Sequence, residues 1–156
     1  MGLVNNLQVI FGMKKSVTTQ SEVVTPSSGS LQKKVLIVED EKMLANALEL
    51  KFKHENFAVF KAENGQIGLE MIQANKPDIV LLDLMMPVMD GKTMLHKLRE
   101  FPEFKTLPVI VLTNAGEVDN IRETKLYDNA SAFLIKSNIN PEDVVTLVKK
   151  LLFLKF

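Results

Sequence analysis

A doubly wound, all-parallel α/β sheet is the fold class this sequence predicts, and three observations predict it. Short runs of mostly branched apolar residues recur at 35–38, 57–61, 79–82, 108–112 and 132–135. Apart from the second, they are continuous rather than alternating, the pattern of strands buried on both faces. Helix-periodic stretches separate them, as the right-handed crossovers between parallel strands require. Four of the runs also end in polar side chains: Glu39 and Asp40, Asp83, Thr113, and Lys136. In an open sheet of this kind the carboxyl ends of the strands border the crevice where ligands bind.

Residues 1–33 stand apart. Ser16-Val17-Thr18-Thr19-Gln20-Ser21 and Thr25-Pro26-Ser27-Ser28-Gly29-Ser30 are small, polar and without period, the composition of a flexible linker. Ahead of them Leu3, Val4, Leu7, Ile10 and Phe11 fall near helical spacing before Lys14-Lys15. That leaves two readings, a disordered leader or a short amphipathic segment that docks on a partner or a membrane surface. The order of charge, apolar run and cleavage site that marks a signal peptide is missing, and Asn6 breaks the myristoylation pattern that Gly2 suggests. The expected organisation is a leader over 1–33 and a single domain over 34–156.

Within the domain, the first strand runs into Glu39-Asp40-Glu41, and the helix after it places Leu44, Ala47, Leu48 and Phe52 on one face. After the second strand, Asn64-Gly65 punctuates the chain before a helix carrying Leu69, Met71 and Ile72, which Asn75-Lys76-Pro77 stops. The third strand, bounded by Pro77-Asp78 before it, ends in Asp83 and breaks at once into a loop containing Pro87 and Asp90-Gly91. Met94, Leu95, Leu98 and Phe101 make a third helical face, closed by Pro102. The fourth strand ends in Thr113. Residues 117–126 have only Val118, Ile121 and Leu126 as clear anchors, so the fourth helix is expected to be loosely held. The fifth strand ends in Lys136, after which Asn140 caps and Pro141 opens a last helix with the stripe Val144, Leu147, Val148 and Leu151. Five strands alternating with five helices specify a flavodoxin-like sandwich.

Composition narrows the function. The 156 residues carry 19 basic and 19 acidic side chains, so no overall field draws the chain to nucleic acid, and direct binding to it is not expected. Without cysteine there is neither a disulfide framework nor a thiolate metal site, which suits a cytosolic protein. No apolar stretch approaches the roughly 18 residues of a membrane-spanning helix. His54 and His96 fall on separate helices and read as surface residues rather than phosphodonors, and Met85, Met86 and Met89 as loop packing.

The strand ends converge on one rim. Carboxylates gathered there repel one another, so a cation must neutralise them or a carboxyl must keep its proton. Oxygen ligands without histidine or cysteine point to magnesium. A hydroxyl and an ammonium added to that site give the logic of phosphoryl transfer, where positioning and charge neutralisation supply most of the catalysis. Asp83 is then the nucleophile, as carboxylates are in aspartyl-phosphate chemistry.

Glu39-Asp40, the string Asp83-Leu84-Met85-Met86-Pro87-Val88-Met89-Asp90-Gly91, Thr113 and Lys136 together resemble the receiver domain of bacterial two-component response regulators, from Lys34 to the C-terminus. The resemblance implies transfer of a phosphoryl group to Asp83 from a phosphohistidine on a histidine kinase or histidine phosphotransfer protein. It further implies that magnesium is held by Asp40, Asp83 and the backbone carbonyl of Met85, with Glu39 acting through a water. Lys136 and the Thr113 hydroxyl would contact the phosphoryl oxygens, and Phe133 stands where the family has an aromatic that repacks when the threonine is drawn inward. The implied output face is 117–133, where a downstream protein target would bind.

Three residues depart from the family pattern. Ser137 stands where proline usually follows the lysine, so no cis bond is assumed there. Asn114 replaces a small residue beside Thr113, and Met85 places a bulky apolar side chain two residues after the acceptor. The hypothesis these two suggest is slow hydrolysis of the phosphoaspartate. Only one helix follows Lys136, so a stand-alone receiver acting as a switch or relay intermediate is expected, rather than an enzyme. Two alternatives remain: an aspartyl-phosphate phosphohydrolase, which would commonly carry a second aspartate where Met85 stands, and an adaptor that binds without being phosphorylated.

Overall fold

The computed structural model describes residues 31–117 and 129–153. The described residues from Gln32 onward belong to one compact unit. The amphipathic reading of the leader and most of the expected fourth helix, from residue 118 onward, lie outside the described residues.

Strands β1 (Lys34–Val38), β2 (Ala58–Ala62), β3 (Ile79–Asp83), β4 (Val109–Thr113) and β5 (Ala132–Ile135) form one parallel sheet in the order β2-β1-β3-β4-β5. Four α-helices occur among the described residues: α1 (Lys42–His54), α2 (Gly65–Asn75), α3 (Gly91–Glu100) and α4 (Pro141–Phe153). Each strand alternates its side chains between two cores. Leu36, Val38, Val80, Leu82, Val109 and Val111 face one, with Ile72 of α2 and Met94, Leu95 and Leu98 of α3. Val35, Ile37, Ile79, Leu81, Ile110 and Leu112 face the other, with Ala45, Leu48 and Phe52 of α1 and Val144, Val145 and Val148 of α4. Both faces of the central strands are thus dry, which is why their sequences read as unbroken apolar runs.

Several details depart from the sequence expectation. The buried stripe of α1 is Ala45, Leu48 and Phe52; Ala47 is exposed, because two residues from Ala45 it has turned about 200° round the helix. In α2 the buried positions are Gly65, Gly68 and Ile72, with Leu69 and Met71 only half-buried. A Cβ on Gly68 would lie 2.9 Å from Met94 and 3.1 Å from Val38, so these glycines let α2 sit against α3. Phe101 caps the end of α3 and is 36% exposed, and Phe104 of the following turn is buried instead. Val145 joins the stripe of α4, while Leu147 and Leu151 lie at its margin. The expected cap forms at Asn140, whose Oδ1 accepts from Glu142 N–H at 3.1 Å, and Asn64, expected only to punctuate the chain, also caps α2, its Oδ1 accepting from Ile67 N–H at 3.0 Å.

Candidate phosphoacceptor site

The strand order places β1 and β3 side by side while their crossovers lead in opposite directions, a topological switch point whose carboxyl side opens as a crevice. Glu39 and Asp40 leave β1 there, and Asp83 is the last residue of β3. One carboxylate oxygen from each lies within 4.8 Å of the others. Asp40 is exposed, whereas Glu39 and Asp83 are buried.

Lys136 follows β5 and reaches across the rim into this cluster. Its Nζ lies 2.9 Å from Asp83 Oδ2 and 2.9 Å from Glu39 Oε1, with Oε2 at 2.8 Å. Backbone amides complete the pattern: Glu41 N–H donates to Glu39 Oε1 at 3.0 Å, and Met85 N–H to Asp83 Oδ1 at 3.2 Å. That last bond ties the main chain of Met85 to the acid, while the residue itself is 61% exposed. Glu39 Oε2 is buried and, although the ammonium is close, receives no aligned hydrogen bond among the described residues.

One ammonium therefore serves two buried carboxylates, with a third beside them. Burial is the main reason the Glu39 carboxyl is pushed up to about 7, and the Asp83 charge adds to it against the bonds from Lys136 and the Glu41 amide. Burial likewise raises Asp83, against Lys136 and the Met85 amide. For Lys136 burial alone would lower the pKa, but its bonds to Glu39 and Asp83 outweigh that and raise it. An excess of carboxylates over ammonium groups and an all-oxygen donor set fit a hard divalent cation such as magnesium, with Glu39, Asp40 and Asp83 as the side chains that could hold it.

Thr113 ends β4, next to β3, and is buried. Its hydroxyl is engaged elsewhere: Oγ1 donates to Glu117 Oε2 at 2.9 Å. Nothing in the sequence singles out Glu117, because the direction of its carboxylate depends on how the chain turns after Thr113. The turn Ala115–Glu117 supplies that direction. Ser137 lies in the turn Lys136–Asn138, and no cis peptide bond occurs among the described residues. His54 and His96 are exposed, as expected of surface residues.

The loop after Asp83 is shaped by close approach. Gly91 packs so tightly on β3 that a Cβ would fall 2.0 Å from the Asp83 carbonyl oxygen. Its N–H donates to Leu84 O at 3.0 Å, and Asp90 Oδ1 caps α3 by accepting from Thr93 N–H at 2.8 Å. The Asp90-Gly91 pair therefore starts α3 and pins the end of β3 in the same step.

Comparisons with known proteins agree with this fold. The response regulator receiver domain family matches residues 35–149. Transcriptional regulatory protein SrrA of Staphylococcus aureus is 37% identical over 122 residues, covering 78% of this chain and 48% of SrrA. The chain thus spans about half the length of the curated relatives it matches. Among solved structures, chemotaxis response regulator CheY4 of Vibrio cholerae superposes with a TM-score of 0.70 at 26% identity, covering 78% of this chain and 99% of that one. The receiver domain of Francisella response regulator 1452 gives 0.68 at 28% identity, over 77% and 96%. A five-stranded parallel sheet with its acids, threonine and lysine at one rim, matched by family and by structure, makes this chain a member of the response regulator receiver domain family of two-component systems.

Proposed function

We propose that Asp83 accepts a phosphoryl group from a phosphohistidine on a histidine kinase or a histidine phosphotransfer protein. The observation that carries this reading is the shared ammonium: Lys136 Nζ sits 2.9 Å from Asp83 Oδ2 with Glu39 and Asp40 alongside. In the transfer, an Asp83 carboxylate oxygen attacks phosphorus, the nitrogen–phosphorus bond breaks, and the donor's imidazole leaves neutral, keeping the proton already on its other ring nitrogen. Lys136 orients the Asp83 carboxylate before attack and offsets charge on the phosphoryl oxygens after it. The buried strand end keeps the acceptor fixed, and the Met85 amide holds its second oxygen. Asp40, Asp83 and the Met85 carbonyl would hold magnesium, with Glu39 acting through a water, and the ion would supply charge neutralisation between the carboxylates and the phosphoryl group.

The phosphorylated domain acts as a binding switch. Thr113 turns its hydroxyl to the phosphoryl oxygens, Phe133 of β5 repacks, and a downstream protein reads the face 117–133, of which residues 118–128 lie outside the described residues. The half-buried side chains of β5 support this, since an edge strand packed less tightly than β3 or β4 can shift at small cost. The experiment is incubation with a small acyl phosphate or beryllofluoride plus magnesium, comparing wild type with Asp83→Asn by intact mass and amide NMR shifts. A magnesium-dependent adduct in wild type alone supports the proposal. No adduct would favour a phosphorylation-independent adaptor, and release of phosphate over many turnovers a hydrolase.

A further inference from the structure

We infer that Glu117 is a latch on the Thr113 hydroxyl, holding it off the acceptor until phosphorylation displaces it, and that it thereby sets the balance of the switch. This rests on the phosphoacceptor reading above and deepens it.

A threonine hydroxyl has one proton to donate. In this structure it goes to Glu117 Oε2 at 2.9 Å, in preference to the Asn114 carbonyl at 3.3 Å. The same carboxylate oxygen accepts the Asn114 N–H at 3.3 Å, and Glu117 N–H closes the turn on Asn114 O at 3.0 Å. Glu117 is half-buried and Thr113 is buried, so the bond between them is shielded and charge-assisted. A phosphoryl group on Asp83 needs the same proton. Both acceptors are anionic and one hydroxyl cannot serve both, so drawing Thr113 inward breaks the bond to Glu117. Added negative charge at the neighbouring strand end also repels the carboxylate. Glu117 heads the segment that leads on to β5, so its release acts where the output face begins.

Glu117 is a positioning residue in this scheme, acting through Thr113 rather than on the reacting atoms. A hydrogen bond to a charged group, discounted for partial exposure, is worth roughly a 5- to 10-fold bias in a two-state equilibrium. The test uses the full chain with beryllofluoride and magnesium, titrated by NMR at the Phe133 region, with thermal melts confirming that each variant folds. Glu117→Ala is expected to bind beryllofluoride about 5- to 10-fold more tightly than wild type, and Glu117→Gln, which keeps the acceptor oxygen but not the charge, to fall between. Thr113→Val removes the donor, and in that background Glu117→Ala should change affinity less than about 2-fold. An unchanged or weaker affinity in Glu117→Ala overturns the latch, as does a gain that persists with Thr113→Val. A wild type that forms no adduct at all overturns the phosphoacceptor reading itself, which separates the two failures.

Discussion

Gly91→Ala probes how the fold delivers the acceptor. The added Cβ would lie 2.0 Å from the Asp83 carbonyl oxygen and 2.9 Å from the Asp83 carbonyl carbon and Leu84 Cα, all main-chain atoms at the end of β3. Ordinary contact begins near 3.4 Å, so the strand end and the start of α3 must separate by about 1.4 Å. No side-chain rotation relieves this. The separation strains the Gly91 N–H to Leu84 O bond and the Asp90 cap, both of which depend on the same approach. Overpacking of this kind costs about 3 kcal/mol, which for a domain of this size lowers Tm by roughly 10 °C. Because Asp83 moves with its backbone, misplacement of about 1 Å should slow its phosphorylation on the order of 100-fold. Gly116→Ala is the control: its Cβ meets nothing within 4 Å, and stability should stay within about 0.5 kcal/mol. Thermal melts with and without magnesium, together with the rate of acyl-phosphate labelling, read both effects. A Gly91→Ala protein that melts and labels like wild type would refute the packing argument.

Val88 is a β-branched residue at φ 69° and 84% exposed, so Val88→Gly should relieve strain without losing packing and raise stability by about 1 kcal/mol in urea unfolding; a loss of stability would contradict that. The Arg99 guanidinium donates to the carbonyls of Phe104, Leu107 and Asn129 at 2.6–3.1 Å, joining three chain segments, and Arg99→Lys cannot reproduce that fork, so it should cost about 2–3 kcal/mol, with a cost under about 0.5 kcal/mol refuting the role. Burial holds Glu39 at about 7, above its unfolded value of 4.5, so between those pH values the native state carries a proton that the unfolded chain has lost. Metal-free stability should therefore fall as pH rises from about 4.5 to 7, by at most about 3 kcal/mol, and magnesium should raise Tm more at pH 8 than at pH 5.5; metal-free stability that climbs through this window contradicts the assignment.

Most of the fold was legible because the central strands are dry on both faces and must be apolar throughout, while Asn64, Asp90-Gly91 and Asn140-Pro141 mark helix starts with side chains that satisfy free amides. Strand ends were legible to within a residue, as with β2, which begins at Ala58 rather than Phe57. What escaped was orientation. A helix as weakly biased as α1 offers several apolar stripes, and only the sheet decides that Ala45 rather than Ala47 turns inward. The acid pair, Asp83 and Lys136 could be gathered on one rim from strand order alone, but not the bonds that link them. Glu117 and Arg99 escaped for a related reason: their partners are a hydroxyl held by a turn and carbonyls left open by irregular backbone, and neither leaves a periodic trace in sequence.

The central claim is that Asp83 is the phosphoacceptor, and it stands or falls on locating the modified residue. Wild type and Asp83→Asn are treated with an acyl phosphate, with magnesium or with chelator, and the labelled peptide is identified by mass spectrometry after borohydride trapping. The account predicts one phosphoryl group per chain, on the peptide containing Asp83, dependent on magnesium and lost in Asp83→Asn. Labelling that survives Asp83→Asn, or that maps to another residue, would contradict it.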